Sequence, residues 1–447
     1  MKKRTLLLTA MLFGVAISWS QKINYQKSFE EARKLSIQQN KPLAVLVTMQ
    51  PPANVINYLA VLNNPEVVAK FNTSFINYKV ASEDTAGSNI VRQYQVYRFP
   101  SFVFLDSKGG VLEKNGIIMP FVPDVLTMAD GVITASSEKS LTDFDKEYAA
   151  GMYSTYFLKA YITKRKKAGI ANNADLIEKY VDSLTIAGLG NYQQVLFILQ
   201  AGPLADSRAY KLAYTNKSII DSIYKTEPYA ERTAINNGII VNTMASAIVS
   251  KNFGRAISAA NFTRGTWTSD YGEGQKNYAL KLLQYYTGIK DTVNYLREAT
   301  VFYDQYYMNI STDSIKKREE QKMETAKRNA REKAEAVTPN GGVIKTFSFA
   351  YAPNVSATEL NNAAWAFYKS GTQDGTYLTK ALLWSKRSIE LNAIAGYYDT
   401  LAHLLYRLGF YAEAKATQQK AIDLSKAEKR NVKEMEEELA KIEQKTL

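Results

Sequence analysis

The fold is decided by two stretches, Leu43-Ala44-Val45-Leu46-Val47 with Gln50-Pro51-Pro52-Ala53-Asn54 after it, and Arg98-Phe99-Pro100-Ser101-Phe102-Val103-Phe104-Leu105-Asp106. The first run is apolar at every position and of strand length, the pattern of a strand covered on both faces. Working outward, Phe75 to Val80 reads as another strand. Phe102 to Leu105 and Gly110 to Lys114, joined by Asp106-Ser107-Lys108-Gly109, read as a hairpin. Between them lie helix starts. Ser28-Phe29-Glu30-Glu31-Ala32, running to Gln39, reads as a first helix, with Asn40-Lys41-Pro42 turning into the strand. Asn64-Pro65-Glu66-Val67 opens with a cap and a first-turn proline. Asn54 to Leu62 and Ser88 to Tyr94 complete the expected helices, giving an α/β domain over residues 21–120.

The order Lys41-Pro42, strand, Gln50 to Asn54, Asn64-Pro65-Glu66-Val67, strand, then Val96 and Pro100-Ser101-Phe102-Val103-Phe104-Leu105-Asp106 resembles thioredoxin-fold proteins of the secreted bacterial type. In that family a Trp-Cys-x-x-Cys motif opens the helix after the strand, and a cis-proline faces it. The resemblance places Pro51, Pro52, Ala53 and Asn54 at the motif, with Pro51 and Asn54 where the cysteines would be. The chain contains no cysteine. Disulfide exchange needs a thiolate, so the implied domain is redox-inactive. The family's buried acid beneath the motif corresponds to about Leu46, in agreement with that loss. The matching proline is Pro100, and with Phe99 it is implied to border a groove that pairs with an extended peptide by strand addition. The alternative is that the turn alone requires the proline, as a helix start alone would account for Pro51-Pro52.

A chain of 447 residues with 46% apolar content accommodates two to four domains. Lys2-Lys3-Arg4, the apolar Thr5 to Ile17, and Ser18-Trp19-Ser20 form a secretory signal pattern over residues 1–20. The expected product is an exported, periplasmic or secreted protein cleaved near Ser20, with no integral membrane segment afterwards. The net charge of +13 is spread along the chain and indicates no nucleic-acid partner. With one histidine, His403, His-rich zinc sites and Ser-His-Asp triads are nearly excluded. Carboxylate chemistry and carboxylate coordination of calcium stay open. No catalytic residue, metal site or cofactor is expected.

Residues 121–310 show helical periodicity, including Tyr153 to Lys167, Ala174 to Leu184, Tyr192 to Leu199, Arg208 to Tyr224 and Tyr278 to Tyr286. Gly188-Leu189-Gly190, Gly202-Pro203, Glu227-Pro228 and Gly272-Glu273-Gly274 read as turns between them. Residues 311–344 form a charged helix and a linker at Thr338-Pro339-Asn340-Gly341-Gly342. Residues 345–447 resemble tetratricopeptide (TPR) repeats. One copy carries Ala364 and Ala381, and a clearer one carries Ala402, Gly409, Ala414 and Ala421. Ala381 and Ala414 are separated by about one such repeat. Lys426 to Lys445 is expected to cap the stack. The expected fold class is multidomain α/β plus all-α.

Asp84-Thr85-Ala86 resembles the O-glycosylation sequon of exported Bacteroidetes proteins, as do Asp182-Ser183-Leu184, Asp221-Ser222-Ile223, Asp291-Thr292-Val293, Asp313-Ser314-Ile315 and Asp399-Thr400-Leu401. Thr85 is the first candidate among them. The function expected is protein–protein interaction, as an adaptor or scaffold. The partner is a protein or peptide held by the TPR-like repeats, with a second segment in the thioredoxin-fold groove. An enzyme with its site in residues 121–310 and a non-redox periplasmic chaperone are the alternatives.

Overall fold

The strand Leu43–Thr48 (β2) lies at the centre of a five-stranded sheet. It pairs parallel with Ile76–Ala81 (β3) and antiparallel with Ser101–Leu105 (β4). Tyr25–Gln26 (β1) joins β3 in parallel, and Val111–Asn115 (β5) joins β4 antiparallel. The order is β1-β3-β2-β4-β5, compatible with a thioredoxin-like domain. The computed structural model describes residues 22–49, 58–96, 98–115, 121–170, 172–336 and 355–447. The expected signal segment, Pro51 to Asn54 and the expected linker at 338–342 lie outside the described residues.

The unbroken apolar run of β2 has the cause inferred for it. Alternate side chains of a strand point to opposite faces, and helices cover both. Ala44 and Leu46 pack with Val67, Val68 and Phe71 of Pro65–Ser74 (α2) and with Val125, Ala129 and Val132 of Val122–Ser137 (α4). Leu43, Val45 and Val47 pack with Ala32 of Phe29–Gln39 (α1) and with Ile90 and Tyr94 of Thr85–Tyr94 (α3). The cap inferred at Asn64 forms, and Ser28 supplies another. The Ser28 side chain accepts from the Glu31 amide, and Asn64 accepts from the Glu66 amide ahead of Pro65. Asp106 Oδ1 accepts from the amides of Lys108 and Gly110, closing the β4–β5 turn.

Two boundaries differ from expectation. Of the helix expected over 54–62, the described part is a 3-10 turn, Tyr58–Asn63. The Asn64 amide donates to the Val61 carbonyl at 3.1 Å, tightening the chain so that Asn64 can cap α2. Helix α3 starts at Thr85, three residues before the expected Ser88. Gly87 makes this possible, since a Cβ there would meet the Ala81 carbonyl oxygen at 1.7 Å. Gly87→Ala is therefore expected to cost roughly 1–3 kcal/mol, read as a lower urea midpoint. An unchanged midpoint would refute the close approach.

The chain divides into two compact units, Met1–Asn242 and Thr243–Leu447. The first continues beyond the sheet in Leu141–Ala149 (α5), Thr155–Lys167 (α6), Ala174–Asp182 (α7), Ile186–Leu189 (α8), Tyr192–Ala201 (α9), Arg208–Thr215 (α10), Lys217–Thr226 (α11) and most of Tyr229–Val249 (α12). The single helix expected over Arg208 to Tyr224 is two. Asn216 (φ −85°, ψ 69°) interrupts it, and its side-chain Nδ2 donates to the Leu189 carbonyl at 2.6 Å.

The second unit contains Phe253–Gly265 (α13), Tyr271–Gly288 (α14), Thr292–Tyr303 (α15), a π-helical turn Asp304–Met308 and Thr312–Ala336 (α16). It ends with Val355–Lys369 (α17), Gly375–Leu391 (α18), Ala395–Arg407 (α19), Tyr411–Ala427 (α20) and Lys433–Gln444 (α21). Gly272-Glu273-Gly274, expected as a turn, forms the start of α14 because Asp270 caps the Glu273 amide at 2.9 Å. The charged helix expected from Lys426 to Lys445 is interrupted between α20 and α21, where Lys429 takes a positive φ of 57°. One core joins Leu283 of α14 and Leu296 and Phe302 of α15 to Phe367, Trp384 and Leu404. The hairpins from residue 355 onward thus share their core with the helices before the linker. Among the described residues, no helix is long and apolar enough to cross a membrane.

Candidate functional site

In the first unit, the Phe99–Pro100 peptide bond is cis and leads directly into β4. Phe99 is half-buried against the core between the sheet and α1 and α3, and Pro100 is half-buried beside it. Leu46 is 1% exposed among Ala44, Phe71, Phe102 and Phe104, opposite Lys79 of β3 in the ladder. With no thiol in the chain and no buried acid at Leu46, this unit has no means of disulfide exchange.

Thr85 is exposed at the first position of α3. Thr292 and Ser314 are exposed too. Thr400 is buried and donates to the Gly396 carbonyl at 3.1 Å, so the sequon at Asp399 is closed to a modifying enzyme.

The second unit places the small residues picked out by spacing where helices touch. Ala364, Ala381, Ala402, Ala414 and Ala421 are all 0% exposed. Each lets a neighbouring helix approach closely, since a methyl is all that fills the contact. Gly409 takes φ 86° between α19 and α20, and its amide closes the α19 end on the Tyr406 carbonyl at 2.9 Å. That conformation favours glycine. The helices α17 to α21 are compatible with a TPR-like stack.

The face shared by α17 and α19 carries the most unusual chemistry of this unit. Trp365 and Tyr368 of α17 are half-buried and stacked with centroids 5.0 Å apart. The Arg407 guanidinium lies over the Tyr368 ring at 3.6 Å, and the Lys369 ammonium lies 6.0 Å from the Trp365 ring. Beneath them His403 meets both rings edge-on, at 5.2 Å and 5.1 Å. His403 is 3% exposed. Its Nδ1 is 2.9 Å from the Asp399 carbonyl oxygen, and its Nε2 is 3.7 Å from Glu438 Oε1 on α21. Gln418 of α20, wholly buried, donates from Nε2 to Asp399 Oδ1 at 2.8 Å.

These groups perturb one another. Burial pushes the Asp399 carboxyl above its usual range, against the Gln418 hydrogen bond and the nearby imidazole. His403 holds Glu438 below its usual range. Burial would lower the imidazole, but Glu438 and the Asp399 carbonyl outweigh it and raise His403. Sequence reasoning noticed His403 alone. The spacing of Asp399 and His403 on one helix face was readable, whereas Glu438 is brought in by the docking of α21.

No family model matches this chain, and no curated protein matches it. Among solved structures, one titled "DsbH Oxidoreductase" is similar over 30% of this chain and 95% of its own, at 16% identity and a TM-score of 0.23.

Proposed function

We propose that this protein is an exported, non-catalytic interaction protein. Its TPR-like hairpins hold a partner peptide or helix, and the half-buried Phe99 and Pro100 of a redox-inactive thioredoxin-like domain border a place for a second segment. Export follows from the signal pattern at residues 1–20, and Thr85 is the position on α3 open to a glycan. The observation that carries the reading is the Trp365–Tyr368 pair on α17. Partly exposed aromatic rings held rigid by neighbours are the side chains that dominate binding energy at interfaces. Arg407 and Lys369 on these rings favour a partner with acidic residues flanking its apolar contact.

The structure also dictates the test. Cutting the chain before α17 would remove Phe367 and Trp384 and expose Leu283, Leu296 and Phe302, so loss of binding by a truncation would report unfolding. The full mature chain is instead compared with its Trp365→Ala/Tyr368→Ala variant in affinity capture with crosslinking from the native envelope. A partner crosslinked to α17 or α19, and recovered at least tenfold less by the variant, is the expected result. Equal recovery by both proteins, or no partner at all, would overturn the proposal.

A further inference from the structure

We propose that Asp399, His403 and Glu438 form a divalent-cation site of the zinc class that clasps α21 to the α19–α20 hairpin. One nitrogen of His403 and one carboxylate oxygen from each of Asp399 and Glu438 lie within 4.8 Å of one another. Zinc binds nitrogen and oxygen donors at about 2.0–2.2 Å, so its ligand atoms stand about 3–4 Å apart. His403 Nε2 and Glu438 Oε1, at 3.7 Å, have that spacing and are too far apart for a direct hydrogen bond. Asp399 Oδ2 is 3.9 Å from Nδ1, and its carboxylate must turn toward Nε2 to share the ion.

Three further features fit a cation. The contact of His403 Nδ1 with the Asp399 carbonyl oxygen selects the tautomer that is protonated at Nδ1, leaving the Nε2 lone pair to face Glu438. In that tautomer the imidazole is neutral, and the two carboxylates carry the two negative charges that a divalent cation cancels. Gln418 is the independent sign of a ligand. Its side chain is fully buried and aimed at Asp399, with Nε2 orienting that carboxylate, yet its Oε1 is buried with no hydrogen-bond donor. A buried amide oxygen without a donor is destabilising, and a cation bound to the carboxylates would give it a partner as fourth ligand. Trp365 and Tyr368 pack over the imidazole and shield it from water, while Asp399 and Glu438 stay 20% and 31% exposed and open to an entering ion. The bland alternative is an ion pair of protonated His403 with Glu438, filled by a proton in place of a metal.

His403 is the one histidine of the chain, so its ring C–H resonance in an NMR spectrum is a single reporter. The experiment uses the full mature chain, freed of metal and carrying a histidine-free tag, titrated with zinc chloride. The expected result is conversion of the His403 signal to a new position at one equivalent, with one zinc retained per chain. His403→Gln and Glu438→Gln should each weaken zinc binding at least tenfold. A His403 signal unmoved by excess zinc would overturn the site even if a variant failed to fold. Zinc retained at full affinity by folded His403→Gln, or a shift given by calcium and not by zinc, would overturn it as well.

Discussion

Replacing Trp384 with alanine is expected to destabilise the Thr243–Leu447 unit by about 3–5 kcal/mol, among the largest effects of any single change there. The indole is 0% exposed. It packs edge-on against Phe367 at 4.8 Å and tilted against Tyr303 at 5.1 Å, joining α18 to α17 and to the end of α15. Its Nε1 donates to Asp304 Oδ1 at 3.2 Å, while Lys380 holds Oδ2 of the same carboxylate at 2.6 Å. Truncation removes the aromatic contacts, leaves a cavity among large side chains, and takes one donor from Asp304. Trp384→Phe restores most of the volume but not the donor, and should recover more than half of the loss. Urea unfolding followed by hydrogen exchange in α15, α17 and α18 reads the effect. A loss below about 1 kcal/mol for the alanine variant would mean that this core is not continuous across the linker.

That continuity shows where sequence reasoning stopped. The sheet was legible because β2 is apolar at every position and because Ser28, Asn64 and Asp106 carry local chemistry that fixes caps and turns within a few residues. The alanines of α17 to α20 were legible through their spacing. Asn216 was not, because a helix tolerates asparagine at modest cost. The break there is tied to a hydrogen bond with Leu189, 27 residues away. The same holds for the cluster at His403. Asp399 and His403 announce a shared helix face, but Glu438 and Gln418 reach them only after three helices have packed. Local chemistry can be read one residue at a time, while contacts between distant elements depend on the whole fold.

Leu46→Asp is the second large effect, and it tests how dry the packing around the central strand is. The substitution places a carboxyl on β2. Here Leu46 lies opposite Phe102 in the β2–β4 ladder and opposite Lys79 in the β2–β3 ladder, and its side chain packs among Ala44, Phe71 and Phe104. Desolvation would raise the introduced carboxyl above its unfolded value of about 3.9. A group with a raised folded pKa binds more protons in the native state than in the unfolded one, so its penalty grows as pH rises through that interval. The difference in unfolding free energy from wild type should therefore be smallest at the acid end, near pH 4, where the carboxyl is neutral in the folded state and only about half ionised in the unfolded one. It should grow to about 3–5 kcal/mol at neutral pH, where folding must bury a charge or take up a proton. Leu46→Asn, of similar shape and without a titrating group, should show a deficit that does not vary with pH. Parallel urea titrations of the three proteins from pH 4 to pH 8 separate these terms. If the aspartate variant tracks the asparagine variant at every pH, the carboxylate has found solvent or a partner such as Lys79, and desolvation does not govern this position.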